Sequence, residues 1–323
     1  MGDSITAMAD QVASVFHALI DNVESIVRGK AESIRLALCC LLTEGHLLID
    51  DVPGTGKTSL AKAIAGSIAG SWKRVQFTPD LLPSDITGVM VFDQRTSSFS
   101  FRQGPVFTNV LIGDEINRAS PKTQSALLEV MEERQVTADG VPHLVPRPFF
   151  VIATQNPRDF HGTFPLPDVQ LDRFAMKLSL GYADHATEVV VLESYRRENR
   201  DRGVPAVTNA TQLEQLIAAI EQIEVVHSIN DYIVRLANGT RAHPDLRLGV
   251  STRGTLSLMR VAKAYAASEQ RGYVTPDDIK ALVEPVFGHR ISLSSEAELR
   301  GVRVEQVLAE IVDDVAVPRH REG

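Results

Sequence analysis

The chain has 323 residues, a formal net charge of −8 and 44% hydrophobic residues, so it can bury a sizeable core and wholesale disorder is excluded. No apolar run approaches the roughly 18 residues of a membrane helix, and Met1 to Asp10 lack the basic-then-apolar order of a signal peptide. The acidic balance argues against a general nucleic-acid binder, whose affinity comes mainly from Lys and Arg on phosphates. The two cysteines, Cys39 and Cys40, are neighbours in an apolar run. They read as small core residues of a protein in the reducing cytoplasm. Nine histidines are scattered, with neither H-E-x-x-H nor cysteine pairs at zinc spacing, so no zinc site is expected.

Residues 4 to 44 have helical periodicity. Val12, Val15, Phe16 and Leu19 make one apolar stripe, and Ile34, Leu38, Leu41 and Leu42 make another. Val27-Arg28-Gly29-Lys30 separates them, either as a plain turn or as a segment lying against a nucleotide base. Leu47 to Asp50 is an apolar run of strand length, and Leu60, Ala61, Ile64 and Ile68 then recur at helical spacing. Between them lies Asp51-Val52-Pro53-Gly54-Thr55-Gly56-Lys57-Thr58-Ser59. Strand, glycine turn and helix is the setting in which a phosphate-binding loop makes physical sense. Gly54 and Gly56 let successive N–H groups approach phosphates. The helix opening at Lys57 points its positive end at the same place. Lys57 would reach the β- and γ-phosphates, and the Thr58 hydroxyl would bind Mg²⁺. The common first glycine of the loop is Asp51 here, a residue type that tolerates left-handed backbone better than most.

Arg74 to Phe77 reads as a second strand. Leu82 to Gly88 starts a helix that is cut short by strand-like Val89 to Phe92, a polar turn at Gln94 to Ser98 and the alternating Phe99 to Phe101. The pattern is a hairpin inserted into a helix, with the path resuming at Gly104 to Phe107. Asn109 to Gly113 is a buried-strand run ending in Asp114 and Glu115. A buried carboxylate needs a cation. Beside a phosphate-binding loop that cation is Mg²⁺, held by Asp114 directly or through water, with Glu115 activating the attacking water.

Ser120 and Pro121 cap a helix whose buried face carries Leu127, Leu128 and Met131. Asp139-Gly140 then marks a second hairpin over Gln135 to Val141, whose return arm Pro142 restricts to an edge. Phe149 to Gln155 is a third buried strand ending at Asn156, which either bonds the γ-phosphate or the attacking water, or caps the turn at Pro157. Leu171-Asp172-Arg173-Phe174 precedes a short strand over Ala175 to Leu180. Arg173 either pairs with Asp172 or another core acid, or reaches out of the subunit. A charged stretch, Arg196 to Pro205, reads as a boundary between residues 1–200 and 201–323. Beyond it the pattern is helical. Ser251-Thr252 and Thr275-Pro276-Asp277-Asp278 are helix starts.

Taken in order, Gly54 to Thr58, Asp114 to Ala119, Ala153 to Pro157 and Leu171 to Phe174 resemble an AAA+ ATPase. Asp114 to Glu133, with its Ser120 to Glu129 run, is similar to the MoxR family in particular, and the resemblance spans about Val27 to Ile291. It implies an α/β P-loop core with a five-stranded parallel sheet of order 5-1-4-3-2, two hairpin inserts and a C-terminal helical lid. It also implies Asn156 as sensor 1, Arg173 as an arginine finger acting on the neighbour's ATP (with Arg118 and Arg158 as rivals) and Arg253 as sensor 2. ATP or ADP with Mg²⁺, a hexameric ring, a protein client and a separate von Willebrand factor A partner complete the expectation. Two other functions fit the core. A helicase-clade nucleic-acid motor shares the hairpins, but theirs here hold few cations. A scaffold with weak hydrolysis conflicts with an intact Glu115. A transcription activator is excluded by the lack of a Gly-Ala-Phe-Thr-Gly-Ala loop.

Overall fold

The computed structural model describes residues 2–52, 54–156, 162–194 and 204–318. Pro53, Pro157, Arg158 and most of the charged stretch near 200 lie outside them. Five short strands carry the core: β1 (Leu47–Asp50), β2 (Trp72–Gln76), β3 (Val110–Asp114), β4 (Phe150–Gln155) and β5 (Met176–Leu178). All pair in parallel, in the order β5-β1-β4-β3-β2, which is the expected order. Strands covered on both faces are apolar at nearly every position, and alternation then decides which layer each side chain joins. Leu47, Ile49, Val110, Ile112, Phe150 and Ile152 face one hydrophobic layer, and Leu48, Leu111, Val151 and Ala153 face the other.

The first layer is the larger. It takes in α1 (Gly2–Glu24), α2 (Ala31–Leu42) and α3 (Lys57–Ser67). It continues without a break into the C-terminal helices α8 (Ala210–Glu221), α9 (His227–Ala242), α10 (Thr252–Ser268), α11 (Pro276–Phe287) and α13 (Val304–Asp314). Helix α10 rests on α1 and α2, and α11 rests on β5. Cys39 and Cys40 are fully buried in this layer as free thiols, and burial pushes both thiol pKa values well up. Local signals set the helix ends: the Ser251 side chain accepts from Gly254 N, and Thr275 with Asp278 forms a capping box.

A buried ion pair fastens the C-terminal helices to the core. Arg290, with its side chain 1% exposed, donates from Nε to Asp172 Oδ1 at 2.8 Å and from Nη2 to Phe174 O at 2.6 Å. His289 Nε2 meets Phe174 O at 2.9 Å.

The second layer is closed by α5 (Pro121–Glu133) and by α4 (Pro83–Thr87). From it project two antiparallel hairpins, Gly88–Asp93 with Ser98–Gln103 and Gln135–Ala138 with Val141–Leu144. The first hairpin corrects one expectation. It does not interrupt a helix that later resumes, because the five-residue α4 ends at its base and residues 104–109 are turns. The neck explains this. A Cβ on Gly88, at φ +108°, would lie 2.4 Å from Arg102 O, and one on Gly104 would lie 2.3 Å from Ile86 O. The two arms cross too closely for a helical turn to continue. The hairpins touch through Phe101, which stacks on His143 with centroids 4.3 Å apart. Val91, Phe92, Phe99, Val141 and Leu144 remain exposed.

Candidate functional site: a phosphate-binding cleft and a separate arginine cavity

The ends of β1, β3 and β4 and the start of α3 enclose a cleft of about 410 Å³. Gly54 and Gly56 both have φ +88°, with nothing within 4 Å of where a Cβ would stand. The loop therefore turns its backbone toward open space. Gly56 is the N-cap of α3, so the first N–H groups of that helix face the same space. Lys57 Nζ donates to the carbonyls of Asp51, Val52 (3.3 Å) and Gln155 (3.2 Å). Partial burial lowers its pKa, while the Asp51 and Asp50 carboxylates pull the other way.

Asp51 shows why this loop does without its first glycine. Its Oδ1 accepts from Val52 N at 2.9 Å, and its Oδ2 accepts from Leu180 N and Gly181 N, both at 2.7 Å. The residue does not have a positive φ, so the tolerance for left-handed backbone expected from sequence is not used. Its carboxylate instead ties the loop to the segment after β5. Lys30 Nζ reaches the other side of that segment, at Leu180 O and Tyr182 O. The 27–30 turn thus braces the anchor and does not line the cleft.

Across the cleft stands Asp114, its side chain 5% exposed. Thr58 Oγ1 and Thr154 Oγ1 each donate to its Oδ1 at 3.3 Å, and Arg74 Nε donates to its Oδ2 at 2.6 Å. Glu115 follows in left-handed backbone, φ +57°, a conformation that costs a non-glycine residue energy and is retained at functional sites. Its N–H donates to Thr154 Oγ1 at 3.0 Å, and its Oε2 accepts from Gln76 Nε2 at 2.9 Å and pairs with Arg118 Nε at 3.3 Å. Asn156 lines the same cleft at the end of β4. The structure therefore brings Gly54, Gly56, Lys57, Thr58, Ser59, Asp114, Glu115 and Asn156 together. Thr55 donates to Val52 O within the loop. Arg74, Gln76 and Thr154 join them without having been singled out in the sequence.

No cluster of three or more His, Cys, Asp or Glu side chains that could hold a metal exists among the described residues. Mg²⁺ is commonly held by one or two carboxylates plus substrate phosphates. Thr58 and Asp114 offer the hard oxygen donors.

Residues 46–176 match the family described as ATPase family associated with various cellular activities (AAA), and residues 238–311 match the AAA lid domain. The uncharacterized protein YeaC of Bacillus subtilis is 44% identical over 94% of both chains. Chaperone MoxR1 of Mycobacterium tuberculosis is 35% identical, over 96% of this chain and 85% of its own. The chain belongs to the MoxR family of AAA+ ATPases. A crystal structure from Cytophaga hutchinsonii superposes on this MoxR-family chain with a TM-score of 0.89 at 36% identity, covering 98% of this chain and 99% of the other.

The remaining two expected residues lie elsewhere. Arg173 and Arg253 do not line the phosphate-binding cleft. They line a second cavity of about 300 Å³ between α5, β5 and α10, with Arg134 and Arg260. Both reach one acid: Arg173 Nε is 3.0 Å from Glu132 Oε2, and Arg253 Nη2 bonds Glu132 Oε1. Asp172, the expected alternative partner of Arg173, is taken by Arg290. The placement of Arg253 follows from the packing of α10 on α1 and α2, which carries its N-terminus to the α5 side.

Proposed function

We propose that this MoxR-family chain hydrolyses ATP at sites shared between subunits and uses the cycle to remodel a protein partner. The observation that carries the reading is the separation just described. The phosphate-binding groups converge on one cleft, while two arginines suited to a phosphate sit in another cavity of the same chain. A neighbouring subunit's Arg173 and Arg253 would complete each cleft, which favours a closed ring such as a hexamer.

On ATP binding, Lys57 exchanges its carbonyl partners for the β- and γ-phosphates. Thr58 and Asp114 would hold Mg²⁺, which would supply charge neutralisation to the phosphate oxygens. Glu115 orients a water and accepts its proton as the oxygen bonds to the γ-phosphorus and the bond to ADP breaks. Asn156 positions that water or a γ-phosphate oxygen. The neighbour's arginines offset charge in the transition state.

The protein partner is inferred from chemistry at the hairpins. Their exposed apolar residues suit polypeptide, their turns hold few cations, and the net charge of −8 disfavours phosphate polymers. The relative named a chaperone points the same way, and a separate von Willebrand factor A protein is the proposed mediator. No helix among the described residues is long and apolar enough to cross a membrane. With two buried free thiols, we place the chain in the cytoplasm.

The test is ATPase rate against protein concentration. Specific activity should rise with concentration. Glu115→Gln should bind ATP yet lose about 10²-fold or more in turnover. Arg173→Ala should lose about 10³-fold or more, with partial recovery on mixing with Lys57→Ala, because mixed rings contain intact sites. Full activity in a dilute monomer refutes shared sites. Several-fold stimulation by DNA or RNA, lost as salt rises, refutes the protein-partner reading in favour of a helicase-like one.

A further inference from the structure

We propose that Arg74 is the built-in counter-ion of Asp114, displaced when Mg²⁺ arrives with the nucleotide, and that it thereby sets how strongly nucleotide binding depends on metal. The inference rests on the ATP-binding reading above and adds a positioning residue to it.

Asp114 is among the most buried carboxylates of the cleft, and such a group must be paired. Thr58 and Thr154 supply hydroxyls to Oδ1, which leave its charge uncompensated. Among the described residues the one cation bonded to it is Arg74, on Oδ2 at 2.6 Å. The register makes this pairing structural. On β2, Gln76 lies opposite Asp114 and Arg74 opposite Ile112, so Arg74 and Gln76 emerge on the same side of the edge strand and lean toward the two acids. Arg74 Nη2 donates to Gln76 Oε1 at 3.4 Å, and Gln76 Nε2 donates to Glu115 at 2.9 Å. The Asp114 and Glu115 carboxylates are thus both engaged from β2.

Arg74 holds Oδ2 while Thr58 marks the metal side of the carboxylate at Oδ1. Two cations a few ångströms apart on one carboxylate repel each other, so metal entry at Asp114 favours the release of Arg74. The side chain can leave, because it is 44% exposed on an edge strand and lines the same cleft as Lys57 and Thr58. Released, its positive head stands beside the space for the terminal phosphate. Without metal, Arg74 keeps Asp114 from repelling the nucleotide. With metal, the ion takes over that task and Arg74 is a competitor.

The two states make a prediction that a merely structural role would not. Binding of a fluorescent ATP analogue is measured by anisotropy in EDTA and in excess Mg²⁺, for the parent, Arg74→Gln and Arg74→Lys. The readout is the ratio of the two dissociation constants. Arg74→Gln should weaken metal-free binding and raise the ratio about tenfold or more, because Asp114 then has no cation except the metal. Arg74→Lys retains a competing cation and should stay within about threefold of the parent. Melting curves and circular dichroism confirm that each variant is folded; were Arg74→Gln to misfold, a parent-like ratio in Arg74→Lys would be required together with a raised ratio in Arg74→Ala. An unchanged or lowered ratio in the folded neutral variant overturns the inference alone. A parent protein that binds no nucleotide, or binds it equally well as Lys57→Ala, overturns the ATP reading and the inference with it.

Discussion

Replacing Asp51 tests whether the unusual first residue of the loop is there for its carboxylate. Three N–H donors converge on it, from Val52, Leu180 and Gly181. Asparagine keeps the shape but has a single acceptor oxygen. In its best orientation that oxygen retains Leu180 and Gly181 while the amide NH₂ confronts the Val52 N–H. One bond is lost and two lose their charge assistance. Hydrogen bonds to charged groups contribute about 1.5–3 kcal/mol and neutral ones about 0.5–1.5 kcal/mol, so Asp51→Asn should cost about 3.5 kcal/mol or more. Glycine, the common residue at this position, loses all three bonds. It leaves the N–H of the buried Leu180 without an acceptor and adds about 0.5–1 kcal/mol of backbone entropy. Asp51→Gly should therefore cost about 5 kcal/mol or more. The assay is urea unfolding followed by fluorescence of Trp72, the single tryptophan, which lies on β2 of the same sheet. The midpoint should fall in the order parent, Asn, Gly at constant slope, and ATP affinity should fall in the same order as the loop loosens. A glycine variant as stable as the parent, binding ATP as tightly, would refute the anchor.

Stability should also fall on acidification between about pH 6.5 and 4. His46 is buried, with Val151 N donating to its Nδ1 and Nε2 facing Met131 O, a pair of bonds that only the neutral ring can make; burial lowers its pKa to about 4. The unfolded ring titrates near 6.5, so the unfolded state binds the extra proton and stability drops by about 2 kcal/mol at pH 5. Chemical denaturation at pH 7 and pH 5 measures it, and His46→Gln should flatten the dependence, in part only because His289 is lowered by burial as well. Arg290→Met should cost about 3 kcal/mol in a melting experiment, since it leaves the Asp172 carboxylate without its cation and, among the described residues, with only the Ser251 hydroxyl. Gly88→Ala should open the neck of the first hairpin, giving rapid proteolysis between residues 88 and 104 while the rest of the chain resists.

Much of the fold was legible because its signals are local. The runs at Leu47, Val110 and Phe150 are apolar at nearly every position, which marks strands covered on both faces. Asp139-Gly140 fixes a hairpin turn by its positive φ values, 49° and 75°. The interrupted helix was misjudged because a helix start is written in sequence at Leu82 to Asp85, whereas its failure to resume is set by the close crossing of Gly88 and Gly104. That crossing involves residues sixteen apart and has no local pattern.

The cleft was legible where a motif is contiguous and opaque where the sheet assembles it. Gly54 to Thr58 and Asp114-Glu115 carry their chemistry in consecutive residues. Arg74 and Gln76 are alternate polar residues on a short strand, a pattern indistinguishable from a solvated edge until the register sets Gln76 opposite Asp114. The pairing of the edge-strand Arg74 with the buried Asp114 becomes visible only once the sheet is assembled. Arg253 poses the same difficulty on a larger scale. Its position at a helix start suits an anion wherever that start is placed, and placement depends on which side α10 packs. Arg290 and His289 decide it by clamping the C-terminal helices to Asp172 and Phe174. The clamp holds Arg253 beside Arg173 and away from the chain's own Lys57. Within one chain the two arginines therefore line a cavity separate from the cleft of Lys57 and Asp114. Glu132 engages both arginines, and on the shared-site proposal its carboxylate holds the two guanidiniums in the paired arrangement that a neighbour's phosphate would require.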